Sequence, residues 1–147
     1  LDKVTEVNQW LKNIHSQLKL NEHQCHMLDK NGYAVQIQLS TSGHLISLSC
    51  ELYRLNDTID HELANFALEL NANSEILRSC WLAKHEDKLL LMHHVDIIHF
   101  DGLDFENTLN NFLSLSGEVR QILPQSSSAT PKISDDMPFN HTFYVKG

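Results

Sequence analysis

The sequence has no apolar run approaching the ~20 residues that cross a bilayer. It also lacks basic charge. Eleven lysines and arginines stand against nineteen aspartates and glutamates, a net charge of −8 with neutral histidines. That shortage weighs against nucleic acid, whose phosphates must be neutralised by Lys and Arg, and against an anionic membrane surface. Glycine is scarce, with five residues and no cluster, so no glycine-rich phosphate loop is present. GxSxG, HExxH and zinc-ribbon spacings are missing as well. Cysteine is limited to Cys25, Cys50 and Cys80, odd in number, widely spaced and without a CxxC. They argue against a disulfide framework and read as reduced cytosolic thiols. The first residues mix Asp2, Lys3 and Glu6 among apolar ones, which is not the pattern of a signal peptide. No proline occurs before Pro124.

What is present suits one compact domain. A hydrophobic content of 41% over 147 residues is enough for a single core. The acidic surface favours a basic or polar polypeptide partner. Val4, Val7, Leu11, Ile14 and Leu18 recur at helical spacing and make one stripe, with Asp2 as its cap. Asn31-Gly32 then sits between two apolar stretches, a hairpin signal because both residues tolerate positive φ. Tyr33, Val35, Ile37 and Leu39 alternate with polar residues, and so do Ile46, Leu48, Cys50 and Leu52. Together these predict a three-stranded meander, each strand buried on one face.

A second helix is expected over "RLNDTIDHELANFALELN", capped by Asn56 or Asp57, with Ile59, Leu63, Phe66 and Leu70 on its stripe. Two strands follow, "SEILRSCWLAK" and "KLLLMHHVDIIHF", joined by a turn at "HEDK". The second of these is apolar on both faces: Leu89, Leu91, Val95 and Ile97 on one, Leu90, Met92, Ile98 and Phe100 on the other. A strand greasy on both sides needs cover on both sides, and a small domain has little left for the second. A twin subunit is the economical cover. A third helix spans "DGLDFENTLNNFLSLSGEVRQIL", capped by Asp101 or Asp104 and ended by Pro124. The expected fold is therefore α+β: a twisted antiparallel sheet of about five strands and three helices, order α-β-β-β-α-β-β-α, homodimeric. Residues 1–123 form the domain. Residues 124–147 read as a mobile tail whose end, Phe143-Tyr144-Val145, has β character and resembles a strand that docks on a sheet edge.

The histidines do not make a metal site by spacing. His93 and His94 point to opposite faces of a strand, and His93 and His99 lie roughly 20 Å apart along one. His23 and His26 with Cys25 make a similarly weak cluster. A rival reading, a small metal- or thiol-dependent enzyme using Cys80, His85, His93 and His94, rests on these residues alone. A buried strand thiol is the blander account of Cys80. The expectation is no enzyme, no metal and no cofactor.

Element order, the amphipathic opening "VTEVNQWLKNIHSQLKL", the strand "GHLISLSCEL", the helix "ELANFALELN" and the closing "GLDFENTLNNFLSLSGEVRQIL" resemble the class I type III secretion chaperones, the family of the Tir chaperone. The resemblance covers residues 1–123. It implies a cytoplasmic homodimer without ATPase activity that holds the N-terminal segment of a secreted effector in extended form. A variant within the family binds a small secretion- or transcription-control protein instead. The resemblance puts client contacts near Val7, Trp10, Leu11, Ile14, Tyr33, Val35 and Ile37. It puts the dimer interface at Leu63, Phe66, Leu70, Leu77 and Trp81.

Overall fold

A computed structural model gives the structure of the protein and describes residues 2–55 and 61–124. Helix α1 (Lys3–Ile14) begins where expected: the Asp2 carboxylate accepts the Thr5 N–H at 2.8 Å, satisfying one of the orphan donors of the first turn. Val7, Trp10 and Leu11 are its buried residues. The meander follows as β1 (Gln24–Leu28), β2 (Ala34–Leu39) and β3 (Leu45–Arg54).

The hairpin between β1 and β2 forms, but not by two positive-φ residues. Only Gly32 adopts a left-handed φ, +85°. The turn opens earlier, at Asp29, whose Oδ1 accepts the N–H groups of Asn31 (2.8 Å) and Tyr33 (2.9 Å). This side-chain turn fixes Lys30 and Asn31 without calling on Asn31 for a rare conformation.

Helix α2 (His61–Asn71) buries Leu63, Ala67 and Leu70. The expected caps Asn56 and Asp57, and Ile59, lie outside the described residues. A single helical turn, α3 (Ser74–Leu77), stands where a strand was expected to begin. Asn73 caps it, its side chain accepting from the Ile76 N–H at 3.2 Å. Arg78 at φ +59° then turns the chain, so β4 starts only at Trp81 (Trp81–His85). Strand β5 (Lys88–Asp96) returns, and α4 (Gly102–Ile122) closes the fold. Its capping box is reciprocal: Asp101 Oδ1 accepts the Asp104 N–H at 2.8 Å, and Asp104 Oδ2 accepts the Asp101 N–H at 3.0 Å.

The five strands form one antiparallel sheet in the order β1-β2-β3-β5-β4. Pairing registers put Met27, Val35, Cys50 and Leu91 across one row, and Cys25, Ile37, Leu48 and His93 across the next. This face carries the core. Helix α4 lies over it, with Phe112 stacked on His93 and Arg120 on Cys50. Helix α1 packs beside α4 through Trp10, stacked on Phe105 at 5.7 Å. The opposite face carries Gln24, Gln38, Ser47 and His94 in one row, then His26, Gln36, Ser49, Met92 and Trp81.

Two features fix the C-terminal end of α4. Arg120, 10% exposed, donates through Nη2 to the Glu51 carbonyl (2.8 Å) and the Cys50 Sγ (3.1 Å), and lies 3.5 Å from Asp29 Oδ2. Its guanidinium also sits 3.4 Å over the Tyr33 ring, a cation–π contact. Beyond it, the Tyr53 hydroxyl donates to the Pro124 carbonyl at 3.3 Å.

Mid-helix Gly117 stands out by its emptiness. Among the described residues, no heavy atom lies within 4 Å of the point its Cβ would occupy. A glycine inside a helix costs about 0.5–1 kcal/mol relative to alanine. Gly117→Ala is therefore expected to raise unfolding free energy by about that amount, read from a denaturant midpoint.

Candidate functional site

Two places on this fold are candidate contact surfaces: an edge of the sheet, and the apolar part of the face that α4 does not cover. The edges differ in kind. On β4, the outward main-chain groups of Leu82 are already taken. Asn71 of α2 accepts the Leu82 N–H through Oδ1 at 2.6 Å and donates through Nδ2 to the Leu82 carbonyl at 3.1 Å. One side chain thus imitates a neighbouring strand. The next outward position, Lys84, carries a charge, a further guard against edge pairing.

Strand β1 is different. The Leu39 N–H donates to the His23 carbonyl and the Asp29 N–H to the Tyr33 carbonyl. Odd-numbered residues of β1 therefore turn toward β2, and Gln24, His26 and Leu28 turn their main-chain groups outward. Asn21 pairs with Gln24 in both directions, at 2.7 and 3.0 Å. Among the described residues, β1 is the outermost strand on this side of the sheet.

The second place is the outer face of β4 and β5. Trp81 lies directly across from Met92, and Ala83 from Leu90; all four are half-buried. Trp81 makes an edge contact with His94, ring centroids 4.8 Å apart. Nearby elements leave more apolar surface outside: Leu68 on α2 is 70% exposed and Ile76 on α3 39%. Of the residues expected at a dimer interface, Leu63, Leu70 and Leu77 are buried inside the subunit, while Phe66 and Trp81 remain partly accessible. The two-sided strand is real: Leu89 and Leu91 are buried under the core, and Leu90 and Met92 face away from it. Sequence reasoning singled out that strand, and the exposure of Leu68 on α2 was not part of it.

The expected client contacts divide in the same way. Val7, Leu11, Val35 and Ile37 are fully buried core residues, and Trp10 is 6% exposed. They belong to the hydrophobic core, because the face of α1 that carries them is the face turned to the sheet. Their side chains shape the surface without reaching it. Ile14 and Tyr33 are half-buried and keep part of their area for contact.

Two of the three thiols, Cys25 and Cys50, are buried, and Cys80 is half-buried. Burial pushes Cys25, Cys50 and Cys80 up to about 11, against the direction a nucleophilic cysteine needs. Among the described residues, no group of three or more His, Cys, Asp or Glu side chains could hold a metal ion. Burial also holds His26 and His93 below the usual imidazole range. The signs combine into a stability window. A histidine whose folded value is depressed costs stability as pH falls from about 6.5, because the unfolded chain takes up the proton first. A thiol whose folded value is raised costs stability as pH climbs from about 9 toward 11. The unfolding midpoint is expected to be highest between these limits and to fall on both sides; a flat profile from pH 5 to 10 would contradict it.

No family model matches the chain, and no curated protein matches it by sequence. Solved structures do. A chain of the ExsC–ExsE complex superposes with a TM-score of 0.72 at 18% identity, covering 86% of this chain and 100% of that one. A chain of the HopA1–SchA chaperone–effector complex gives 0.62 at 14% identity, covering 80% and 91%. A chain of the heterodimeric ExoU–SpcU complex from the type III secretion system of Pseudomonas aeruginosa gives 0.59 at 14%, covering 82% and 99%. The fold is that of the class I type III secretion chaperones. Among the described residues, no helix is long and apolar enough to cross a membrane.

Proposed function

We propose that this chain is a cytoplasmic, homodimeric chaperone without enzymatic activity. It binds an extended segment of a type III secreted effector, or of a regulator of secretion, and keeps it from folding. The domain ends near residue 123, and residues 124–147 form a separate tail. The observation that carries the reading is the pair of sheet edges in a chaperone fold: Asn71 takes the outward groups of Leu82 on β4, and β1 is the outermost strand at the other side among the described residues. An extended client gains main-chain hydrogen bonds by adding a strand at β1, and side-chain contacts beside Ile14 and Tyr33. Ordering a disordered client costs ~2–5 kcal/mol or more, which a bound strand with a wrapped flank offsets.

The half-buried Trp81, Leu90 and Met92, with Phe66 and Leu68, form the surface for the twin subunit in this reading. An isologous contact uses the same surface of each subunit twice, which would cover apolar area that one subunit leaves outside.

Affinity capture from the native cell, with mass spectrometry, names the partner. Hydrogen exchange on the purified complex then locates it. Amides of β1, Leu28 among them, are expected to slow at least tenfold on binding, with β4 unchanged. Slowing at β4 alone would overturn the assignment of the edge. A lone subunit in sedimentation, binding one partner as in the ExoU–SpcU heterodimer, would overturn the dimer and leave the edge assignment standing.

A further inference from the structure

Strand β5 turns His93 inward, toward α4. Its ring lies nearly parallel to that of Phe112, 18° off, with centroids 6.4 Å apart. Nδ1 is enclosed and, among the described residues, has no hydrogen-bond partner. The ring lines a cleft of about 200 Å³ between α4 and the turn that enters β4. Thr108 and Asn111 reach the cleft from α4, both uncharged, and Arg78 and Cys80 from the turn. Leu48 stands across on β3, and His94, next along β5, points to the other face. Among the described residues, no carboxylate lines the cleft to receive a proton on Nδ1. Its one charged lining residue, Arg78, is a cation and opposes a charge on the ring.

The turn over the ring is held against its own preference. Arg78 adopts φ +59° and ψ −120°, a conformation that residues with a side chain rarely take and that persists only where the surroundings enforce it. Two main-chain bonds hold it. The Arg78 N–H donates to the Ser74 carbonyl at 2.8 Å, and the Cys80 N–H to the Leu77 carbonyl at 2.9 Å. We propose that protonation of His93 releases the Arg78–Cys80 turn from α4 while the meander stays closed.

The sign follows from the surroundings of the ring. Burial holds His93 below the usual imidazole range, and main-chain Ser79, which favours the charged form, offsets only part of this. A released imidazole takes up its proton as pH falls through about 6.5. The enclosed ring resists, so acid favours the open turn. The backbone strain at Arg78 is relieved in the same movement.

The proposal does not rest on the chaperone reading, and its test needs no partner. Amide hydrogen exchange on the full 147-residue chain measures it, with the intrinsic pH dependence of exchange divided out. Between pH 7.5 and 5.0 the protection of the Arg78 and Cys80 amides is expected to fall about tenfold. The ceiling is about 30-fold, for a ring that titrates only once released. Amides of β2 and β3 should keep their protection. His93→Phe preserves the stack on Phe112 and cannot titrate, so its turn should stay protected in acid; His93→Leu does the same with less bulk. Asn111→Asp puts a carboxylate on the cleft wall, where it can accept from a charged ring, and should shrink the acid loss. A turn equally protected at both pH values in the unaltered chain would overturn the proposal. So would an undiminished acid loss in His93→Phe and His93→Leu, or an equal loss across β2 and β3, which is global unfolding.

Discussion

Replacing Arg120 with alanine is expected to lower the thermal midpoint by roughly 10 °C. The side chain is 10% exposed and Asp29 opposite it 5%. Removing one partner of a buried pair leaves the other charge uncompensated, which costs about 3–5 kcal/mol. For a domain of this size each kcal/mol moves the midpoint by about 2–4 °C or somewhat more. Arg120→Ala also deprives the Glu51 carbonyl of its donor and Tyr33 of its cation. Arg120→Lys should recover little, because a point charge cannot reach two acceptors and stack on a ring at once. Asp29→Asn alone should cost less than Arg120→Ala. In the double variant the two costs should fall short of their sum by about 1–3 kcal/mol, the mark of a direct coupling. Additive costs would mean that Arg120 and Asp29 act separately.

The second large effect concerns assembly. Trp81→Glu is expected to weaken self-association at least 30-fold, about 2 kcal/mol, the usual threshold for a central aromatic anchor, and to leave the subunit folded. Trp81 is only half-buried in one subunit, and Met92 across the strand pair and Ala83 two residues along its own strand are half-buried too. A carboxylate in that position is solvated in the lone subunit and desolvated at a shared face. Sedimentation across a concentration series measures the change, with circular dichroism to show that the fold persists. Leu103→Glu is the control: it is 64% exposed near the start of α4, away from β4, and should change nothing. Equal association of the unaltered and Trp81→Glu chains would remove the outer β4–β5 face from the interface.

Much of the architecture could be read from periodicity. Alternation over Tyr33 to Leu52 marked two strands with their buried faces correctly assigned, because a period of two admits only one choice of face once the apolar set is known. Asp2, and the pair Asp101 or Asp104 of which Asp101 is the cap, marked helix starts through their chemistry. The misses have physical causes. Ser74–Leu77 reads as strand because four residues are too few to show a helical period; Asn73 and the positive φ of Arg78 decide it. The client residues were drawn from the apolar stripes of α1 and β2, yet a stripe reports what the fold buries. Surface for a partner is found in departures from the stripe, such as Leu68 at 70% exposure. The Asn71 clamp left no trace in the sequence at all, since asparagine at a helix end is ordinary and its bond to Leu82 depends on the sheet being assembled.

That clamp has a consequence for how these molecules behave when crowded. An open sheet with two receptive margins is a monomer unit for a ribbon: the last strand of one molecule seats against the first of the next, without limit. Here one margin is already spoken for by a side chain from the same molecule. Growth through the sheet therefore terminates after a single addition. A single polar side chain thus sets a limit on sheet-to-sheet stacking of this protein along the β4 side.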